Sequence, residues 1–265
     1  LRNKVNDIKY VTYNIRIDSK VDDVVINDLK TKERANSIER LIEELEFPPE
    51  KLKTHKDFRI ECYDISNIQG TNAVGAMTVM IDGEVKPEFY RRFKIRMKNE
   101  PNDFAMLQEV LSRRFRQYLM NNYESFIEDS STSSEEERRA SEEFKQIAKK
   151  AKAWKQDESF IQKPDLIIID GGKGQLASTY KILYNFGLHN EIPMVGLAKK
   201  QEEIFKVTDQ FKDDFNQIND SSKFTRILLP KRSESLYLVQ RIRDEAHRFG
   251  ITYHRKLRSK TFLKS

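Results

Sequence analysis

The sequence DLIIIDGGKGQL, at residues Asp165–Leu176, has the pattern of a buried strand, a glycine-rich turn and the start of a helix. Its apolar run, Leu166–Ile169, is typical of a strand that is covered on both faces of a sheet. The run ends in the carboxylate of Asp170, and open α/β sheets place their sites at the carboxyl ends of such strands. Asp170 is therefore a candidate site residue, although it could instead only cap the following helix.

Alternating apolar residues predict three consecutive antiparallel strands before this stretch, and helical periodicity predicts a helix after them. The predicted ranges are 59–65, 73–81 and 86–96 for the strands and 103–120 for the helix. Asp82-Gly83 is a strong signal for a hairpin turn between the second and third strands. Alternation along the first strand places Ile60, Cys62 and Asp64 on one face.

Shorter strands follow the central helix, and a further helix lies near the end of the chain. The predicted ranges are 194–197, 203–207 and 226–229 for the strands and 233–249 for the helix. This order predicts an α/β, ribonuclease-H-like fold, in which an antiparallel meander is extended by parallel βα units into a mixed sheet flanked by helices. We expect this domain to span residues 58–265, with an acidic, Ser- and Glu-rich insertion at about 124–158.

Residues 1–57 are predicted to form an extension in front of the main domain. It would contain a strand at 8–17 and a helix at 31–46, which Pro48 and Pro49 end. The chain begins at Leu1, without a methionine, which predicts that it is a piece of a longer protein.

Charge is distributed unevenly along the 265 residues, whose formal net charge is +6. The segment Arg241–Ser265 contains eight Lys and Arg residues against two acidic ones, which indicates an anionic partner. The single cysteine, Cys62, excludes an intramolecular disulfide and suits a reducing compartment, so we expect a cytoplasmic protein. No apolar run reaches the length of a transmembrane helix, and we expect no membrane partner.

Asp64, Asp170 and His247 occupy three positions that a ribonuclease-H-like fold would bring together. Two carboxylates and an imidazole could hold Mg²⁺ or Mn²⁺, and phosphodiester cleavage needs such a cation to neutralise phosphate charge and to lower the pKa of a water. Sequence spacing alone is no evidence that the three side chains meet. Asp64 could instead cap a strand end through Ser66, and His247 could be a surface histidine near a helix C-terminus.

Three other patterns have simpler interpretations. Asp103 could be the N-cap of the predicted helix with Phe104 as its first residue. Residues 171–175 (GGKGQ) lack the Lys-Ser/Thr pair of a P-loop, although their amides could still cradle a phosphate. Residues 244–247 spell DEAH, but they lie in a basic helix without a P-loop partner, so we reject a helicase.

Six segments, in the same order and over roughly residues 35–260, resemble the endonuclease region of the UvrC proteins of the UvrABC excinuclease. They are RIECYDISNIQG (59–70), EFYRRFKI (88–95), NDFAMLQEVLSRRF (102–115), PDLIIIDGGKGQL (164–176), VGLAKKQEEIF (195–205) and ILLPKRSESLYLVQRIRDEAHRFGITYHRKLR (227–258). The resemblance implies a ribonuclease-H-like endonuclease that makes the 5′ incision beside a DNA lesion with a divalent metal. Its implied partners are lesion-bearing double-stranded DNA and excinuclease subunits A and B, and we expect the isolated domain to be monomeric.

The resemblance also implies roles for individual residues. The family's catalytic Asp, Asp and His fall on Asp64, Asp170 and His247, which we predict to bind Mg²⁺ or Mn²⁺, and a further functionally important aspartate falls on Asp103. The candidate DNA contacts are Gln69, Lys173, Lys199, Arg243, Arg255 and Lys256. The family usually has His where this chain has Asn67, which puts a contact at that position in doubt.

Two other functions remain open at this point. A nuclease-like module could bind DNA or partner proteins without cutting, but such modules usually lose a carboxylate. A nucleotide-binding enzyme could use the glycines at 171–174, although the P-loop spacing is missing. The chain contains neither a GIY…YIG motif nor a helix–hairpin–helix repeat, so we do not expect it to make the 3′ incision.

Overall fold

The structure is a computed structural model that describes residues 19–66, 73–96, 102–122, 157–198, 202–208, 211 and 221–262, with side chains between residues 27 and 252. The helices are α1 (Ser19–Leu45), α2 (Asp103–Asn121), α3 (Lys173–Asn185) and α4 (Glu234–Phe262). The strands are β1 (Arg59–Ser66), β2 (Val74–Ile81), β3 (Glu84–Val85), β4 (Arg91–Lys94), β5 (Leu166–Ile169), β6 (Met194–Ala198), β7 (Glu203–Val207) and β8 (Phe224–Ile227).

All the described strands belong to one mixed sheet, which confirms the predicted fold class. The order is β3-β2-β1-β5-β6-β7-β8, and β4 also pairs directly with β2, at residues 74–77. β1, β2 and the β3–β4 pair form the antiparallel meander, while β1, β5 and β6 run parallel. β7 and β8 extend the far edge with antiparallel pairing.

The hairpin signal is confirmed, but the third strand differs from the prediction. Asp82 and Gly83 both have positive φ angles, 48° and 74°, as a type I′ hairpin turn requires. The predicted strand at 86–96 is two segments, because a short 3₁₀ turn at Pro87–Phe89 interrupts it. Pro87 has no amide hydrogen to donate to β2, which explains the break at this place.

The two faces of the sheet carry separate hydrophobic clusters, as alternation in β1 predicts. Ile60 and Cys62 pack with residues of α1 and α4, including Leu41 and Val239. Tyr63 points to the opposite face, where α2 and α3 cover the sheet. Asp64 therefore lies on the α4 face.

The helix α1 begins earlier than predicted, at Ser19 rather than near residue 31, and ends at Leu45, close to the predicted stop. Leu41 and Leu45 are fully buried in the core of the α4 face. Lys206 on β7 donates to the carbonyls of Leu45 and Glu46 at 2.9 and 2.8 Å. Carbonyls at the end of a helix have no partner within the helix, and Lys206 supplies one. The proposed division at residue 57 stays a prediction, and the strand predicted at 8–17 lies outside the described residues.

The helix α4 extends to Phe262, well past its predicted end at residue 249. Its path follows β2 and β1 from the hairpin to the carboxyl end of β1. Arg241 donates to the carbonyl of Gly83 in the hairpin, and the carbonyl of Ile242 lies 3.5 Å from Thr78 Oγ1 in the middle of β2. The turn of α4 around Gly250 lies against Ser66 at the end of β1, and the helix continues past this end.

The acidic insertion predicted at 124–158 falls almost entirely outside the described residues. The chain on either side of it is held together, because Asn122 Nδ2, just after α2, donates to the carbonyl of Ile161 at 3.0 Å. Arg91 and Asp157 form an ion pair at 2.5 Å beside this contact. The described residues on either side of this range, Asn122 and Ile161, are therefore neighbours in the fold.

Candidate metal centre

Asp64 and Asp170 are neighbours because of the parallel register between β1 and β5. Tyr63 pairs with Ile169, and the Asp170 amide donates to the Tyr63 carbonyl at 2.9 Å. The next residue on β1, Asp64, and the residue after β5, Asp170, therefore lie side by side on the α4 face. The two carboxylates are almost completely buried, at 3% and 5% exposure.

His247 on α4 completes the cluster. Its Nδ1 lies 3.5 Å from Asp64 Oδ2, and one ligand atom from each of Asp64, Asp170 and His247 lies within 4.8 Å of the others. The imidazole is 54% exposed, so the cluster opens to solvent on the histidine side. The structure thus brings together the three residues that the sequence proposed as metal ligands.

A close helix–strand approach makes this meeting possible. Gly250 lies one turn after His247, and a Cβ there would collide with Ser66 Oγ and lie 3.5 Å from Asp64 Oδ2. The absence of a side chain lets α4 rest directly on the end of β1. Ser66 Oγ also donates to Asp64 Oδ2 at 3.1 Å, which fixes one carboxylate oxygen.

The electrostatics of the cluster favour a bound cation. Burial raises the pKa of the Cys62 thiol well above its usual value, and the negative charges of Asp170 and Asp64 raise it further. Two buried carboxylates at this spacing repel each other unless a cation or a proton lies between them. Carboxylate oxygen suits Mg²⁺ and Mn²⁺, and Mn²⁺ also accepts imidazole nitrogen, so the donor set fits either ion.

The turn after β5 is shaped by Gly171, Gly172 and Gln175. The N-cap of α3 is Gly172, so the alternative that Asp170 caps this helix is wrong. The Gly172 amide donates to Gln175 Oε1 at 3.2 Å, and a Cβ on Gly196 of β6 would lie 2.8 Å from the Gly171 carbonyl. Gly196 therefore allows β6 to pack closely against this turn and α3, and one turn amide is already bonded within the protein.

Asp103 lies at the start of α2, and it is not its N-cap. The cap is Asn102, whose side chain accepts from the amides of Phe104 and Ala105 at 3.0 and 3.4 Å. Asp103 is exposed and is not a member of the cluster of Asp64, Asp170 and His247. Its predicted part in catalysis stays a prediction.

The predicted DNA contacts are found in different surroundings. Lys173 opens α3, and its Nζ lies 5.1 and 5.9 Å from the ring centroids of Phe205 and Phe224. Arg243 lies one turn before His247 and pairs with Glu202 at 3.3 Å and Asp244 at 3.0 Å.

The remaining predicted contacts lie outside the region where side chains are described. Asn67, Gln69 and Lys199 fall between the described ranges, whereas Arg255 and Lys256 lie on the described backbone of α4. Their predicted contacts with DNA stay predictions.

Sequence reasoning missed Arg92, which contacts the α4 segment next to His247, and Gly250, which belongs to that segment. Arg92 on β4 donates to the carbonyl of Phe249, and Gly250 allows the approach to Asp64. A glycine one helical turn after a candidate ligand was a signal for close packing that could have been noticed. Arg92 gave no such signal.

Comparison with known proteins identifies what this chain resembles. A family model for the UvrC RNAse H endonuclease domain matches residues 50–251. UvrABC system protein C of Moorella thermoacetica is 40% identical over 207 residues, which are 78% of this chain and 26% of that protein. The corresponding protein of Methanosphaera stadtmanae is 37% identical over 235 residues, 89% of this chain and 31% of that protein.

The chain spans about a quarter to a third of the length of these relatives. Within the described residues, every helix is too short or too polar to cross a lipid bilayer.

Proposed function

The chain belongs to the family of UvrC RNase H endonuclease domains, and from this premise we propose that it is a divalent-metal-dependent DNA endonuclease. Its reaction would be the 5′ incision beside a lesion in nucleotide excision repair. The substrate would be lesion-bearing double-stranded DNA, and excinuclease subunits A and B would be its partners.

The single observation that carries this proposal is the cluster of Asp64, Asp170 and His247, whose ligand atoms lie within 4.8 Å of one another. Asp64 and Asp170 would hold Mg²⁺ or Mn²⁺, and His247 would complete the set. When bound, the ion would neutralise charge on the scissile phosphate and lower the pKa of a water. Ser66 keeps the Asp64 carboxylate oriented, so the ligand geometry is fixed before DNA arrives.

His247 is suited to a second role in proton transfer. Its ring is the exposed member of the cluster, whereas both carboxylates are buried. The side that faces solvent is therefore the side from which a DNA phosphate approaches. An imidazole there can hold a proton for the leaving oxygen or take one from the attacking water.

Cys62 and Ser66 lie on the same face of β1 as Asp64. The Cys62 thiol is fully buried, so it does not reach the side from which a phosphate would approach. The Ser66 hydroxyl donates to Asp64 Oδ2, a proposed metal ligand, and holds that carboxylate. Direct attack by a metal-activated water needs neither side chain as a nucleophile.

The helix α4 would hold the DNA backbone next to the cluster. It continues from His247 to Phe262, past the end of β1, and its last turns include Arg255 and Lys256. Basic side chains that track a phosphate backbone supply affinity without reading sequence. Arg243 and Lys173 would contribute from the same edge of the sheet, and Gln69 and Lys199 stay predicted contacts.

The decisive test is Asp170→Ala in a nicking assay on a lesion-bearing duplex with Mn²⁺. We expect nicking to disappear while circular dichroism and the melting temperature show an intact fold, and calorimetry should show lost Mn²⁺ binding. Glu191→Ala is a suitable control, because Glu191 forms a partly exposed ion pair with Lys163.

Full nicking by Asp170→Ala would contradict the assignment. A wild-type chain that binds DNA but shows no divalent site and no nicking would instead indicate the silent binding module.

A further inference from the structure

Arg92 lies in the same cross-strand row as Asp64, two strands away. Asp64 pairs with Ala76 of β2, and Ala76 pairs with Arg92 of β4. Directly opposed residues in antiparallel strands point to the same face, so Arg92 also faces α4. Ala76 is fully buried and small, which leaves room for the arginine side chain to reach across the sheet.

The guanidinium of Arg92 binds the segment of α4 that follows His247. Its Nη2 and Nε donate to the carbonyl of Phe249 at 3.0 and 3.3 Å, and Nη2 also donates to Thr252 Oγ1 at 3.0 Å. Its Cζ lies 3.6 Å from the centroid of the Phe249 ring. Hydrogen bonds from a charged donor are about twice as strong as neutral ones, and the contact over the ring adds a cation–π interaction.

The position of this contact matters for the metal centre. Before His247, two arginines attach α4 to the sheet. Arg241 donates to the Gly83 carbonyl in the hairpin, and Arg243 forms an ion pair with Glu202. After His247, Arg92 contacts α4 from β4, and Gly250 lies against Ser66 and Asp64. His247 is thus placed between two attachment points, and the second is at the level where α4 passes the end of the sheet.

We propose that Arg92 is a positioning residue that fixes α4 on the end of β1 and thereby holds His247 at its distance from Asp64. It acts through the helix and does not itself contact the reacting atoms. The link between Arg92 and metal binding rests on the proposed function. The same contact sets the direction in which the basic last turns of α4 leave the domain.

The test compares Arg92→Met with Arg113→Met. Arg113 is a matched control, because it also donates to a backbone carbonyl, that of Lys94 at 2.9 Å, and lies 5.3 Å from the ring of Phe93. Arg113 is on α2, which covers the opposite face of the sheet. Both variants are measured in the whole chain by hydrogen exchange, Mn²⁺ calorimetry and thermal melting.

We expect Arg92→Met to weaken Mn²⁺ binding by about tenfold, as the loss of supporting contacts around a metal site commonly does. Amides in a peptide over residues 246–256 should exchange faster, because the local opening of α4 becomes easier. Arg113→Met should change neither quantity, and both variants should melt within a few degrees of each other. Arg92→Lys keeps the charge and one donor but not the fork, so it should restore part of the Mn²⁺ affinity.

Two results would overturn the proposal: unchanged exchange over residues 246–256 in Arg92→Met, or faster exchange with unaltered Mn²⁺ affinity. The second result would mean that Arg92 only stabilises the helix end. If the wild-type chain neither binds Mn²⁺ nor nicks DNA, the proposed function fails on its own. Hydrogen exchange in Arg92→Met then still decides whether Arg92 fixes α4.

Discussion

Strand β1 carries a buried carboxylate on each face of the sheet, and the two have opposite surroundings. Glu61, fully buried, accepts from Arg59 Nε at 2.9 Å and from Arg114 Nη2 at 2.8 Å. Asp64, three residues later on the other face, has Asp170 and His247 as neighbours. One acidic group is thus neutralised by cations of the protein itself, and the other lies beside a second carboxylate.

The difference shows that burial alone does not identify a functional carboxylate. Burial on its own would raise the pKa of Glu61, but the charges of Arg114 and Arg59 outweigh it and hold that pKa below its usual value. The charge of Glu61 is therefore balanced inside the fold. Asp64 and Asp170 form a group whose charge a divalent cation would balance, and that group opens to solvent through His247.

The Glu61 cluster also has a structural task. The same two arginines donate to carbonyls of the segment that follows the insertion, Arg59 to Ser159 at 3.0 Å and Arg114 to Gln162 at 2.7 Å. Tyr63 donates its hydroxyl to Glu61 at 2.5 Å. The face opposite to the metal centre is thus fastened by ionic and hydrogen-bonded contacts that need no ligand.

The largest expected effect is on the Asp64 side. Asp64→Asn should reduce nicking by at least about 10³-fold, roughly 4 kcal/mol of transition-state stabilisation, because a proposed ligand of the ion is lost. Its melting temperature should be unchanged or higher, since the substitution removes repulsion with Asp170. Nicking rates at saturating Mn²⁺ and thermal melting measure the two effects.

A milder substitution at the same site is Ser66→Ala, which removes one hydrogen bond to Asp64. We expect it to lower the nicking rate by less than about tenfold. A strongly destabilised Asp64→Asn protein would contradict the comparison, because Asp64 would then be a structural residue like Glu61.

Much of the fold could be predicted because its signals are local. The apolar run Leu166–Ile169, the Asp82-Gly83 turn and the alternation of 59–65 each report burial over a few residues. Alternation also placed Asp64 on the correct face, and a parallel neighbour ending in Asp170 brings the two carboxylates together. The position of His247 depended on the packing of α4, for which the predicted fold, and then the resemblance, was the guide.

The contacts of Arg92 could not be predicted, for a specific reason. An uninterrupted hairpin in which Met80 pairs with Val85 would place Phe89 opposite Ala76. The short turn at Pro87–Phe89 shifts the register, so that Arg92 takes this place. A shift of an odd number of residues also reverses which side chains face α4, and no local pattern reveals it.

The helix ends were missed for a different reason. The last turns of α4 are mainly polar, so they carry little of the apolar periodicity by which a helix is recognised. The first turns of α1 do carry Val21, Val24 and Leu29 at helical spacing, and this signal was overlooked. Arg114 as a partner of Glu61 also could not be predicted, since it lies 53 positions away and only the folded chain brings it to β1.

The second largest effect should be on the Glu61 side. Glu61→Gln leaves two buried guanidinium groups without their carboxylate, and removing one partner of a buried ion pair costs about 3–5 kcal/mol. Urea unfolding would show this as a lower midpoint. Glu191→Gln, which breaks a partly exposed pair with Lys163, should cost less than about 1 kcal/mol. If the two variants were equally stable, the buried ion pairs of Glu61 would contribute no more than an exposed pair, and the contrast between the two faces of the sheet would not hold.

Lowering the pH should reduce the difference in unfolding free energy between wild type and Glu61→Gln. The folded-state pKa of Glu61 lies below its usual value of 4.5, so its charge contributes stability that is fully present above that pH. The contribution is lost as pH falls through the lower, folded-state pKa. Urea unfolding between pH 6 and pH 3 should therefore show wild type losing more stability than Glu61→Gln. Parallel curves would mean that folding does not lower the pKa of Glu61.

The smallest effect concerns the start of α2, on the Glu61 face of the sheet. Asn102→Ala removes the side-chain cap of the Phe104 and Ala105 amides and should cost about 1 kcal/mol in urea unfolding. Asn102→Asp, which can still cap, should retain most of that stability. Mn²⁺ affinity should be the same in both variants, because α2 packs on the side away from Asp64 and His247. Weakened Mn²⁺ binding in Asn102→Ala would instead link the start of α2, and with it Asp103, to the metal centre, and the two faces would not be independent.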